Sequence, residues 1–228
     1  MHKKYKIAVI NILTMDEEEE LNKHGKIMES YFPNLETTSF CVDDQYEGVH
    51  DDNTHEKAAK KVVDLGKSIY ENFDGIVVSC TGDPGVEELK KEINIPVIGA
   101  GRSVSSCGLN FGKKIGVIGI REMPSEAIRC ALGENLRRYI KPNGIRNVND
   151  LFTDQGNEVV VNAVRELESD GMDAVVLACT GISNIGIDKF LNERLSIPII
   201  DPVYAQGFAI NAICNFQKEF KQNNNILN

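Results

Sequence analysis

The alternation of apolar and polar positions along the chain writes one structural unit twice. The run Tyr5–Ile12 is continuously apolar, as expected for a strand buried on both faces of a parallel sheet. Leu21, Ile27, Met28 and Tyr31 form a helical stripe, so a helix is expected over Asp16–Tyr31, with the carboxylates at 16 to 20 at its positive end. A strand over Glu36–Val42 follows, then a polar loop from Asp43 to Asp52. Asn53 and Glu56 have capping-box spacing and open a helix reaching Asn72. An apolar strand ends at Cys80, Asp83 and Pro84 open a helix to Glu92, and Ile95–Gly99 is the fourth strand.

The order then returns. Lys114–Ile120 echoes the first strand, followed by a helix over Pro124–Tyr139, a strand near Gly144–Val148 and a helix over Gln155–Glu168. A strand ending at Cys179, a helix over Gly186–Leu195 and a strand over Ile197–Asp201 complete the second unit. The helices Arg102–Asn110 and Pro202–Phe220 tie the units together, and the polar tail Lys221–Asn228 is expected to fray. The pattern predicts an α/β fold of two pseudo-symmetric lobes with a cleft between them. Each lobe is expected to hold a mainly parallel four-stranded sheet flanked by helices. Residues 1–100 with 203–228 are expected to form the first lobe, and 101–202 the second.

Composition narrows the partners. The 228 residues carry a formal charge of −9 and a pI near 5.0, which argues against nucleic acid or an anionic membrane. Lys3, Lys4 and Lys6 precede an apolar run too short for a secretory signal, so a cytoplasmic location is expected. The six cysteines include no Cys-x-x-Cys pair, which speaks against a zinc ribbon and against a thioredoxin-type motif.

Two of those cysteines carry the chemical signal. Cys80-Thr81-Gly82 and Cys179-Thr180-Gly181 close equivalent strands of the repeat, at the carboxyl end where ligands bind in parallel sheets. Turn N–H groups are expected to favour the thiolate and to hold substrate oxygens, with Gly82 and Gly181 permitting close approach. A thiolate on one face and a thiol on the other suit inversion of a carbon next to a carbonyl, through a planar enolate. Cys41, Cys107, Cys130 and Cys214 lack such partners and read as packing residues.

These residues resemble the aspartate/glutamate/hydantoin racemase superfamily, most closely its hydantoin and allantoin racemase branch. Ser79–Val86, with Cys80 and Asp83-Pro84-Gly85, is similar to that branch's Cys-x-x-Asp-Pro-Gly segment, and Ile95–Gly99, Ala178–Gly181 and Ile197–Pro202 match its other strand ends. The resemblance implies Cys80 and Cys179 as the acid/base pair, with no cofactor and no metal. It implies substrate binding by Thr81, Gly82, Thr180 and Gly181, a small-molecule substrate such as a 5-substituted hydantoin or allantoin, and a homo-oligomer. Asn11 and Thr14 match the outer residues of the branch's Asn-Pro-Asn-Thr segment, Asn11 being expected at the substrate, while Ile12 and Leu13 depart from its middle. An amino-acid racemase, a dicarboxylate cis–trans isomerase and a non-catalytic binding protein are the alternatives.

Other motifs carry less. Gly99-Ala100-Gly101 lacks the last glycine of a dinucleotide fingerprint, Val104 standing in its place. His50 and His55 flank Asp51 and Asp52 without a third well-spaced metal ligand. Arg102, Ser103 and Ser105 are weighed for the pocket edge, and Arg121, Glu122 and Tyr46 for the cleft mouth.

Overall fold

The computed structural model describes residues 4–146, 150–151, 153–185 and 195–226. The first sheet holds β1 (Tyr5–Asn11), β2 (Leu35–Cys41), β3 (Gly75–Ser79) and β4 (Val97–Gly99) in the order β2-β1-β3-β4. The second holds β5 (Ile115–Gly119), β6 (Leu136–Ile140), β7 (Ala174–Ala178) and β8 (Ile199–Ile200) in the order β6-β5-β7-β8. Every pairing is parallel, and the two orders are the same order. Asn11 is level with Ser79 in the first sheet, and Gly119 with Ala178 in the second. That shared register brings both Cys-Thr-Gly turns to equivalent strand ends.

Period-two alternation explains why these strands are apolar throughout. Ile76 and Val78 pack on one face of the first sheet with Val62 and Leu89, while Val77 packs on the other with Met28 and Ile210. In the second sheet Val175 and Leu177 meet Val160, Val164 and Leu167, while Val176 meets Val104, Ile128 and Leu132. Each such side chain contributes about 1.5–3 kcal/mol of burial.

The helices are α1 (Glu18–Leu21), α2 (Lys23–Tyr31), α3 (Asp52–Ile69), α4 (Val86–Glu92), α5 (Ala100–Gly108), α6 (Glu126–Leu132), α7 (Asp154–Ser169) and α8 (Pro202–Ile226). α8 packs against α2 and α5 and against strands of the first sheet. Among the described residues no helix is long and apolar enough to cross a membrane.

Several boundaries differ from the sequence expectation. The single helix over Asp16–Tyr31 is two, broken at Asn22, whose N–H turns back to the carbonyls of Glu18 and Glu20. The cap of α3 is Asp51, not Asn53: its carboxylate accepts from the Thr54 N–H at 2.7 Å, and Thr54 Oγ1 accepts from the Asp51 N–H at 3.1 Å. The helix expected over Pro124–Tyr139 stops at Leu132 because Gly133 takes φ +52°. β6 then occupies Leu136–Ile140, ahead of the expected Gly144–Val148, where residues 144–146 are not in a strand and 147 and 148 lie outside the described residues. The expected helix Gly186–Leu195 falls there too, except for Leu195; the stretch before it, Thr180–Ile185, is a 3-10 helix.

Asp83 is also used differently. It adopts φ +51° and Gly85 φ +72°, which delays α4 to Val86. The carboxylate turns away and caps α5, accepting from the N–H groups of Gly101 at 2.6 Å and Arg102 at 2.9 Å. Asp83→Ala is therefore expected to cost about 2 kcal/mol, read as a lower urea midpoint, with Asp83→Asn milder because an amide oxygen still accepts. Burial outweighs those two donors and raises the carboxyl from its usual 3.8 to about 6. The folded state then holds this proton more tightly than the unfolded chain, so stability from Asp83 should fall as pH rises from about 4 to about 6. Asp83→Asn should remove that decline.

Candidate active site

The ends of β3 and β7 converge on a cavity of about 370 Å³. Cys80, Thr81 and Gly82 line it from one side, Cys179, Thr180 and Gly181 from the other, and Asn11 lies on its floor. All seven residues expected at the site therefore meet in one pocket. The two turns share a backbone form. The Asp83 N–H bonds back to the Cys80 carbonyl at 3.0 Å, and the Ile182 N–H to the Cys179 carbonyl at 3.1 Å.

The turns are tied to each other across the cleft. Thr81 Oγ1 donates to the Ala178 carbonyl at 2.8 Å, and Thr180 Oγ1 donates to the Ser79 carbonyl at 3.3 Å. Each threonine of one lobe thus grips the strand end of the other. Ser125, the cap of α6, adds a third link by donating to the Thr81 carbonyl at 2.7 Å. His55 Nε2 lies 2.9 Å from the Gly82 carbonyl, and since a carbonyl only accepts, that nitrogen carries the proton.

The thiols lie in surroundings of low polarity. Cys179 is buried, and Cys80 keeps part of its surface open. Burial pushes Cys80 up to about 12 and Cys179 up to about 11. The Gly82 N–H, 3.4 Å from Cys80 Sγ, opposes the first shift, and the Gly181 and Ile182 backbones oppose the second. The sequence expectation that turn N–H groups favour the thiolate is corrected here: they act in that direction, but desolvation is larger. In the free pocket both groups are thiols at neutral pH. The Gly82 N–H serves the sulfur.

Asn11 is only 1% exposed, and its amide is engaged by protein groups. Its Nδ2 donates to the Leu21 carbonyl at 3.2 Å and the Phe40 carbonyl at 3.3 Å, while Oδ1 lies 2.9 Å from His24 Nδ1. Thr14 is outside the lining; it donates to the Val42 carbonyl and accepts from the Gln45 N–H, bracing the loop that carries Ile12 and Leu13 into the pocket.

Some sequence candidates do not reach the cavity. Arg102 and Ser103 border a separate cavity of about 260 Å³ beside α8, and Ser105 is buried within α5. Tyr46 and Glu122 lie outside the lining, although Arg121 is in it. Among the described residues no three His, Cys, Asp or Glu side chains gather in a metal-binding group, and His55 is turned toward Gly82.

Other lining residues had no signal in the sequence. His24 is 4% exposed on α2, and burial lowers it to about 4. Tyr139 on β6 donates to the Arg121 carbonyl at 2.6 Å, in space that a side chain at Gly119 would fill. Ser125 and Asn184 also line it. Only tertiary contact brings these positions to the turns, so no local motif marks them.

Comparison with known proteins now bears on this geometry. The family described as Asp/Glu/Hydantoin racemase matches residues 36–206, most of the chain. A hydantoin racemase of Paenarthrobacter aurescens is 29% identical over 140 residues, covering 58% of each chain. A hydantoin racemase of Pseudomonas sp. (strain NS671) is 23% identical over 154 residues, covering 63% of this chain and 59% of that relative. The alignments thus span less than two thirds of either relative's length. Among solved structures, allantoin racemase from Klebsiella pneumoniae superposes with TM-score 0.79 at 20% identity, covering 94% of this chain and 89% of that one. Twin parallel sheets of one strand order, two Cys-Thr-Gly turns on one pocket and the family match agree, and the chain belongs to the Asp/Glu/hydantoin racemase family.

Proposed function

We propose that this protein is a cofactor-independent racemase in which Cys80 and Cys179 are the acid and base. The observation that carries the proposal is the pairing of the two turns across one cavity by reciprocal threonine bonds. The thiolate removes the hydrogen from the carbon next to the carbonyl, and the electron pair passes into an enolate. The thiol on the opposite face returns a proton to the same carbon, so the two sulfurs exchange protonation states. Burial opposes formation of the thiolate, and the turn N–H groups offset that only in part.

The electrostatics of the pocket favour a neutral substrate. Asp16, Glu17, Glu20 and Glu47 lie in the lining, and Arg121 is the one Lys or Arg among its described residues. That guanidinium is already paired with Asp52 at 2.8 Å. A dicarboxylate or acidic amino acid would meet four carboxylates against one guanidinium, which the solvent-exposed Asp52 also shares. A 5-substituted hydantoin, allantoin or a related cyclic ureide carries an acidic carbon without net charge, and the relatives named as hydantoin racemases support that class. The lobe division at residues 1–100 with 203–228 and 101–202, and assembly as a homo-oligomer, belong to the same proposal.

Cys80→Ser and Cys179→Ser should each lower kcat/KM for racemisation by about a thousandfold with the fold retained, since a positioned acid or base supplies about 10²–10⁴. Solvent-deuterium exchange followed by NMR over hydantoins, allantoin and acidic amino acids measures this and names the substrate class. Near-wild-type rates in both variants would end the two-thiol mechanism, and ligand binding without any exchange would favour a non-catalytic protein. Because both thiols are raised, kcat/KM should climb about tenfold per pH unit between about pH 7 and about pH 9, whereas a profile flat over that range would place an ionised sulfur in the free enzyme.

A further inference from the structure

The peptide unit between Thr81 and Gly82 is hydrogen-bonded at both of its ends. The Ser125 hydroxyl donates to the Thr81 carbonyl at 2.7 Å, and the Gly82 N–H points to Cys80 Sγ at 3.4 Å. A trans peptide is planar and directs its C=O and its N–H in opposite directions, so hydroxyl, peptide and sulfur follow one another in a line. Ser125 Oγ in turn accepts from the Ile128 N–H at 3.4 Å, and its own hydrogen goes to the carbonyl, which can only accept. Each group therefore donates to the next, from Ile128 through Ser125 and the peptide to the sulfur.

Neighbouring contacts keep this line in place. The Thr81 side chain is held on the Ala178 carbonyl at 2.8 Å. The next peptide is pinned at both ends as well, by His55 Nε2 on the Gly82 carbonyl and by the Asp83 N–H on the Cys80 carbonyl. A side chain at Gly101 would stand 2.3 Å from the Thr81 carbonyl oxygen, so the glycine leaves that oxygen open to Ser125. Ser125 is buried, and the bond it makes there is little exposed to competition from water.

A hydrogen bond to a carbonyl draws electron density toward its oxygen and makes the N–H of the same peptide a stronger donor, by about 10–30% per bond. The two cysteines differ in how much they depend on this. Cys179 is served by the backbones of both Gly181 and Ile182, and Cys80 by that of Gly82. Of the charged and titratable groups around Cys80, Asp83 and Cys179 act against a charge on the sulfur and Arg121 in its favour. Resting on the racemase reading above, we infer that Ser125 is a positioning residue for Cys80: its hydroxyl orients and polarises the Thr81–Gly82 peptide, so that the Gly82 N–H supports the sulfur as it becomes a thiolate. Ser125 does this without touching the sulfur. It stands at the start of α6, beside the second sheet, and acts on the turn that follows β3 in the first, so the sulfur gains its stronger donor only where the two sheets' strand ends meet.

The test is the rate at which iodoacetamide alkylates Cys80 at fixed pH, followed by peptide mass spectrometry with glutathione in the same tube as the standard. The thiolate is the species that reacts, and losing thiolate outweighs the gain in nucleophilicity that accompanies a higher pKa. In Ser125→Ala the Cys80 rate should fall by about threefold while the Cys179 rate holds. Ser125→Thr keeps the hydroxyl and should restore the Cys80 rate. A purely structural role for Ser125 moves the signal the other way, because a loosened turn exposes the sulfur and speeds alkylation. Ser125→Gly serves if Ser125→Ala does not fold, glycine being tolerated at a helix cap. An unchanged or faster Cys80 rate in the variant lacking the hydroxyl, or no recovery in Ser125→Thr, overturns the inference.

Deuterium exchange into a 5-substituted hydantoin separates this inference from the racemase reading. In Ser125→Ala kcat should fall by about threefold with KM little changed, and Ser125→Thr should return it, because the peptide acts on the sulfur and not on substrate affinity. Slowed alkylation of Cys80 in a protein that exchanges no hydantoin counts against the racemase reading and supports the action of Ser125 on the sulfur. Exchange that is as fast in Ser125→Ala as in the wild type, with alkylation unaltered, overturns the inference and leaves the racemase reading standing.

Discussion

Two hydroxyl-to-carbonyl bonds hold the site in being. Thr81 reaches from the first lobe to Ala178, and Thr180 from the second to Ser79. Each sheet has its own register and its own core clusters, with α8 contributing Val203 and Ile210 to one and Ala205 to another. The turns do need each other, because a cysteine at one strand end faces a cavity only if the other strand end closes it. Both threonines are below a tenth exposed, and in such surroundings a hydroxyl without its acceptor is costly. The reciprocal arrangement therefore ties the end of β3 to the end of β7. Gly101, packed against the Thr81 carbonyl, and Ser125, bonded to it, hold the first turn from behind.

The same enclosure sets the electrostatics. Desolvation raises both thiols, lowers His24 and raises Tyr139, and in each case it is the largest cause. Burial thus works against charge at the pocket's titratable core, while acidic side chains and one arginine, paired with the exposed Asp52, lie around it. This is consistent with the proposed preference for neutral cyclic ureides over dicarboxylates. Beneath the turns the buried polar residues Asn11, Ser79 and Gln206 are joined with His24 in one hydrogen-bond chain.

Much of this was legible in the chain before any coordinates. Eight strands in two equivalent sets, the alternating apolar faces and the matched Cys-Thr-Gly ends follow from local pattern, because a parallel strand buried on both faces has little choice of residue. Seven of the eight strands lie where the pattern placed them. β6 does not: Leu136–Ile140 continues a helical stripe in sequence, and only Gly133 at φ +52°, together with pairing to β5, turns it into a strand. Asp83 carries a strong capping signature, yet its carboxylate caps α5, which is distant in sequence. Propensity names the function of such a residue but not its recipient.

By itself the sequence determined the fold class, the duplication and the two cysteines on which the proposed chemistry rests. Each of these is written in short-range pattern and repeat. The tertiary structure decided that Asn11 holds a histidine, that Thr81 and Thr180 join the lobes, and that the turn amides only partly offset burial at the sulfurs. It also brought His24, Ser125, Tyr139 and Asn184 to the pocket from four separate segments. The physical reason is common to all of them: hydrogen-bond partners and desolvation depend on what packs alongside, and that is settled only when both lobes close on one another.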